Sequence, residues 1–238
     1  MNDPRIIVAL DCRNPVQALK LAEQLDANRC KVKVGKELFT SSGPMLVEKC
    51  IKMGFDVFLD LKFHDIPSTT AGACVVAADL GVWMVNVHAM GGVEMMAAAR
   101  ESIDRHRHHP LLVAVTVLTS LSDAALIDIG IKSNAAQETI RLAELANDAG
   151  MDGVVCSPHD LTELRRRIGR NFCLVTPGIR PAGTHLNDQR RVATPGDALR
   201  YGSDYLVIGR PITQAQDPSK ALRDIEIEIN AELQCASK

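Results

Sequence analysis

Short apolar, β-branched runs alternate with longer amphipathic segments along the whole 238-residue chain. The runs are "IIVAL" (6–10), "KVKVG" (31–35), "DVFLDLK" (56–62), "MVNVHA" (84–89), "LLVAVTVL" (111–118), "GVVCS" (153–157), "FCLVTPG" (172–178) and "YLVIGR" (205–210). Between them lie stretches of helical periodicity such as "PVQALKLAEQLDA" and "AQETIRLAELANDAG". Strands that alternate with helices predict βαβ units and a parallel sheet. Eight such units, spaced about 20–40 residues apart, predict an α/β fold, a closed (β/α)8 TIM barrel. One domain is expected to span residues 1–238, because no linker, low-complexity tract or shift of composition divides them. A doubly wound open sheet is the alternative. It normally carries a glycine-rich first turn, and "ALDCRNP" after the first run contains no glycine.

In a barrel the reacting groups gather at the C-terminal ends of the strands. Those ends carry Asp11, Lys33, Asp60 with Lys62, Asn86 with His88, Thr119 with Ser120, Arg180, and Gly209 with Arg210; Asp65 lies in the loop after the third strand. The side-chain period of two puts Asp60 and Lys62 on one face of their strand and Leu59 and Leu61 on the other. With the leucines against the helices, Asp60 and Lys62 project into the barrel mouth beside Lys33 and Asp11. Two acids and two lysines in a partly desolvated space must neutralise one another. A lysine held between carboxylates stays protonated, which suits it to donate a proton rather than to attack as a free amine. The pattern Asp-x-Lys-x-x-Asp arises by chance in about one chain in twenty of this length, at roughly 6% abundance for each residue. Taken alone it slightly favours a structural ion pair. The position of Lys33 and two phosphate signals shift the balance toward a site.

Those signals follow strands 7 and 8, where barrels often hold phosphate on backbone N–H groups at a helix start. "TPGIRPAG" sets Arg180 after a Pro-Gly turn, and "VIGRP" sets Arg210 after Gly209. Glycine permits close backbone approach, and arginine offers paired donors to a phosphate dianion. A lone Gly-Arg would read as a surface salt bridge; two at the two expected strand ends read as a phosphate site. Residues 178–193, which include Gly183 and Gln189, form a long connection suited to closing over a phosphate and excluding water.

Composition narrows the partners. A net charge of −2 exerts no general pull on nucleic acid or an anionic membrane, and no apolar run is long enough to cross a bilayer. "MNDPRIIVALD" lacks the apolar core of a secretory signal, so a cytoplasmic protein is expected. Seven scattered cysteines without a C-x-x-C pair fit thiols in a reducing compartment and match no zinc spacing. The terminal "CASK" lacks the aliphatic inner residues of a prenylation box. His106, His108 and His109 in "DRHRHHP" read as a solvated surface, His64 and His88 as hydrogen-bonded structural histidines, and Lys31 as a salt bridge near the barrel floor. The adjacent methionines of "GVEMMAAA" read as core or interface filling.

The segments "IIVALD", "VKVGKELF", "FLDLKFHDIPST", "VNVHAMGG", "AVTVLTS", "DGVVCS", "LVTPGIRP", "NDQRRVATP" and "VIGRPIT" closely resemble the orotidine 5′-phosphate decarboxylase family in its bacterial form. The resemblance covers essentially the whole chain, and its third and seventh segments are highly specific. It implies a homodimeric TIM barrel that converts orotidine monophosphate, a small nucleotide, to uridine monophosphate and CO2, the last step of de novo pyrimidine synthesis. It implies neither a metal nor an organic cofactor. By the same resemblance Asp11 and Lys33 contact the ribose, Asp60 lies near the substrate carboxylate, and Lys62 delivers the proton to C6. Asp65 and Thr69, with Ile66 among the same substrate-binding positions, enter the partner subunit's site. Thr119 contacts the base, and Arg180, Gln189, Gly209 and Arg210 hold the phosphate and its closing loop.

Two rival readings are open at this point. The hexulose-phosphate synthase and keto-gulonate-phosphate decarboxylase barrels share the Asp-x-Lys-x-x-Asp motif but use Mg2+, with an acid expected near the end of strand 2, where this chain has Lys33. A non-catalytic phosphate-binding barrel would explain Arg180 and Arg210 but has no need of Lys62 between two acids.

Overall fold

In the computed structural model, which describes residues 3–181 and 193–236, all eight apolar runs form strands. They are β1 (Ile6–Ala9), β2 (Lys31–Gly35), β3 (Val57–Phe63), β4 (Met84–His88), β5 (Leu111–Val115), β6 (Gly153–Val155), β7 (Cys173–Thr176) and β8 (Tyr205–Ile208). Neighbours pair in parallel, and β8 returns to β1 to close the barrel. Most strands stop short of the apolar run that predicts them. Past Val115, for example, Thr116 keeps only a link to the Val155 carbonyl, through both its N–H and its hydroxyl. The remaining apolar residues of that run, Val117 and Leu118, turn over the mouth and line its cavity.

Strand parity divides the buried side chains into two cores. Ile6 and Val8 of β1, Val32 and Val34 of β2, Leu59 of β3 and Val85 and Val87 of β4 face outward and merge with the helices in the larger one. Ile7, Ala9, Phe58, Met84, Val113, Val175 and Val207 face inward and fill the barrel axis. The outer layer is built from helices such as Ala135–Asp148, started by a capping box between Asn134 and Gln137 and burying Leu142, Ala143 and Ala146. At β6 the barrel wall tightens. A Cβ on Gly153 would fall 2.1 Å from the Cys173 carbonyl oxygen, so the β6–β7 contact requires glycine.

The barrel floor accounts for Lys31. Its ammonium bonds Asp3 and Asp56, each at 2.7 Å, and lies 4.2 Å from the centre of the Trp83 ring. Tyr205 packs edge-on to Trp83, and its hydroxyl donates to Asp3. Two residues of the largely exposed histidine cluster are also tied to the fold. The His106 ring bonds Asp79, and the His108 ring donates to the Val82 carbonyl, fixing the turn ahead of β5. Among the described residues no helix is long and apolar enough to cross a membrane.

Candidate active site

The end of β3 departs from a regular strand, and the departure builds the site. Leu59 pairs with Val85 and Phe63 with Val87, so three residues of β3 stand opposite the single residue Asn86. Such a bulge bends the strand and re-aims its side chains. Lys62 adopts φ 51°, alone among the described non-glycine residues in having a positive value. Its N–H donates to Asn86 Oδ1 at 2.7 Å. Strict alternation therefore fails locally, yet Leu61 still packs on the helix side while Asp60 and Lys62 share the mouth.

Asp60 is the hub. Its Oδ1 accepts from Lys62 Nζ at 2.6 Å and from Asn86 Nδ2 at 2.7 Å, and its Oδ2 lies 3.2 Å from Lys33 Nζ. Lys33 in turn bonds Asp11 Oδ1 at 2.9 Å. The chain Asp11–Lys33–Asp60–Lys62 alternates in charge, as mutual neutralisation requires. Burial alone would raise the Asp60 pKa, but Lys33, Lys62 and the hydrogen bonds to Lys62 and Asn86 outweigh it and hold the carboxyl below its usual range. Burial alone would lower the Lys33 pKa, and Asp60 and Asp11 outweigh that, keeping the ammonium charged. Gly35, at the end of β2, leaves room for this pair: a Cβ there would lie 3.2 Å from Lys33 Nζ and 3.4 Å from Asp11 Oδ1. Behind the network, burial together with the nearby His64, Lys62 and Lys36 pushes His88 down to about 4, so its ring is neutral at pH 7. The rings of His64 and His88 stack at 5.6 Å.

A cavity of about 450 Å³ runs from this network across the mouth. Asp11, Lys33, Asp60, Lys62, Thr119, Arg180, Gly209 and Arg210 all line it. The lysines and acids occupy one side; the two arginines lie at the ends of β7 and β8. Arg180 is buried, and its Nη1 donates to the Ile179 carbonyl at 2.8 Å. A single bridge between Ile179 and Ala193 joins the two ends of the connection that follows β7. Gln189 and Gly183 lie outside the described residues.

Asp65, Ile66 and Thr69 do not join this cavity. They sit exposed in the loop after β3 and at the start of helix Pro67–Asp79. The apolar wall of Val155, Val207, Pro177 and Leu118, and the polar Gln214 beyond β8, are not among the residues the sequence singles out. The inward parity of Val155 and Val207 was the available signal; Gln214 had none. Asn86 stands at the rim, as its strand end predicts, while its bond to Asp60 carries no sequence signal. Among the described residues, no three His, Cys, Asp or Glu side chains come together as a metal-holding group. The positively charged Lys33 Nζ fills the place between Asp11 and Asp60 that a cation would need.

The family model described as "Orotidine 5'-phosphate decarboxylase / HUMPS family" matches residues 4–225. The orotidine 5'-phosphate decarboxylase of Nitrosococcus oceani is 56% identical over 230 residues, 97% of this chain and 99% of that one. That of Nitrosomonas europaea is 57% identical over 229 residues, 96% of this chain and 98% of the relative. The crystal structure of orotidine 5'-phosphate decarboxylase from Lactobacillus acidophilus superposes with a TM-score of 0.86 at 40% identity, covering 96% of this chain and all of that one.

Proposed function

The chain belongs to the orotidine 5'-phosphate decarboxylase / HUMPS family, and from that premise we propose that it decarboxylates orotidine 5′-monophosphate to uridine 5′-monophosphate as the last step of pyrimidine synthesis in the cytoplasm. The observation that carries this reading is the Lys62 ammonium bonded at 2.6 Å to a buried Asp60 and facing a cavity that ends at two arginines.

Loss of CO2 from C6 of the base leaves an electron pair in a ring orbital that the π system cannot delocalise. With no electron sink in the substrate, the developing charge has to be met by fixed charge in the protein. Lys62 supplies it and then transfers its proton to C6. Asp60, with Lys33 on its second oxygen, keeps Lys62 in place and stands next to the departing carboxylate. Asp11 and Lys33 bind the ribose hydroxyls, Thr119 meets the base, and Arg180, Gly209 and Arg210 hold the phosphate together with Gln189. Binding energy at the distant phosphate then holds the charged network in its reactive arrangement.

Asp65, Ile66 and Thr69 are assigned to the site of a second copy of the chain, which makes the working unit a homodimer. Their exposure supports this. So do Val76 and Val93, exposed at 60% and 42% on helices Pro67–Asp79 and Gly92–Asp104, which pack side by side. No metal or organic cofactor is assigned a role.

The test is the fall in orotidine monophosphate ultraviolet absorbance with a chelator present. Turnover is expected to persist. Activity that requires added magnesium would favour the sugar-phosphate branch of the family, and a folded but inert protein would end the reading. Lys62→Ala is expected to lose at least about 10³-fold in kcat with its circular dichroism unchanged; a nearly normal rate would remove Lys62 from its role.

A further inference from the structure

Inward parity places Asn86 between Met84 and His88 on β4, and its side chain is fully buried. A buried amide has an acceptor and two donors to satisfy. Both of its ends are directed to one short stretch of β3: Oδ1 accepts the Lys62 N–H, and Nδ2 donates to Asp60 Oδ1. On its other flank the register partner is Val113 of β5, an apolar residue. The shift of register takes Lys62 out of the regular ladder in a left-handed conformation that side chains rarely adopt. Its N–H therefore depends on a side-chain acceptor, and Asn86 provides it.

We propose that Asn86 is a positioning residue for the decarboxylation: by gripping the Lys62 backbone and the Asp60 carboxylate together, it fixes where the Lys62 ammonium stands over the substrate carbon. The proposal rests on the function assigned above. The side-chain chemistry is narrowly constrained. An aliphatic residue would leave the Lys62 N–H and one Asp60 lone pair unmet inside the protein. A hydroxyl is too short to reach both. An ionised carboxylate would accept from Lys62 N–H but oppose Asp60, whereas a protonated carboxyl reproduces both contacts, with C=O accepting and O–H donating.

That last property gives a readout beyond fold integrity. Asn86→Ala is expected to lower kcat about 100-fold, the scale of a small misplacement of a reacting group. KM should stay within about threefold, because the phosphate contacts lie across the cavity. Asn86→Asp should show a kcat that climbs as the pH is lowered from about 8 to about 5, through an ionisation missing from the parent profile. The groups facing the new carboxyl are Asp60 and Lys62 from β3, Lys33 from β2 beyond Asp60, and His88 on its own strand with His64 stacked on it; Val113 contributes no charge. A kcat within threefold of the parent for Asn86→Ala, or a parent-like pH profile for Asn86→Asp, would overturn the proposal. So would a rise in KM with kcat unchanged. If Asn86→Ala fails to fold, the isosteric Asn86→Asp carries the test; if neither folds, the residue serves the fold and the proposal falls. A parent protein that does not consume orotidine monophosphate would instead defeat the functional reading beneath it.

Discussion

At the scale of the residue, Asp60 shows how a buried acid is kept ionised. Its two oxygens meet two ammonium groups and an amide, and the sum outweighs the cost of burial. A carboxyl whose folded pKa lies below its unfolded value stabilises the fold above the unfolded pKa, and that contribution disappears as the pH falls through the folded one. Lys33 is displaced upward, so its contribution is complete below its unfolded pKa and is lost as the pH rises through its folded value. The pair therefore supports the fold across the neutral range. Asp60→Asn is expected to be less stable by about 3–5 kcal/mol at pH 7, and the gap should close as the pH drops well below about 4. Thermal melts from pH 7 to pH 2.5 measure this; a gap independent of pH would contradict the assignment. Asp60, Lys62, Lys33 and Asp11 were legible in the sequence because parity and barrel architecture suffice to bring them to one rim. The part played by Asn86 was not, because it depends on a register shift between two strands and no local pattern encodes that.

At the scale of the element, the eight strands were legible because their apolar runs are short, β-branched and separated by amphipathic stretches. Where each strand ends was not. Apolar residues such as Val117 and Leu118 look like more strand, yet they turn inward to wall the cavity. Periodicity cannot distinguish packing against a helix from lining a mouth. The shortest strand, β6, depends on close backbone approach to β7. Gly153→Ala should therefore force the two strands apart and destabilise the barrel by about 3 kcal/mol, the upper range for overpacking. For a chain of this size that corresponds to a fall of roughly 6–12 °C in Tm by calorimetry. A Tm within about 2 °C of the parent would show that the wall can yield there.

At the scale of the whole molecule, barrel closure was legible only by counting strands, since no residue pattern marks the β8–β1 seam. Exposure of Asp65 and Thr69 makes the second copy testable. Each variant, Lys62→Ala and Asp65→Ala, is inactive by itself in the proposed arrangement. Mixed and re-equilibrated, they should form heterodimers in which one of the two sites is intact. Activity is then expected to return to about a quarter of the parent rate, from half of the dimers carrying one good site in two. A mixture as inactive as its parents would count against sharing across the interface.

Lys31 and Lys33 stand two residues apart on the same face of β2, yet they look toward opposite ends of the barrel. The first is pinned at the floor by Asp3 and Asp56, with its ammonium over the Trp83 ring. The axis itself is filled by inward-facing side chains, among them Ile7, Phe58, Met84, Val113 and Val175. One short strand thus carries its two ammoniums to the two ends of a solid core, and packed side chains insulate the anchor at the floor from the charges at the mouth.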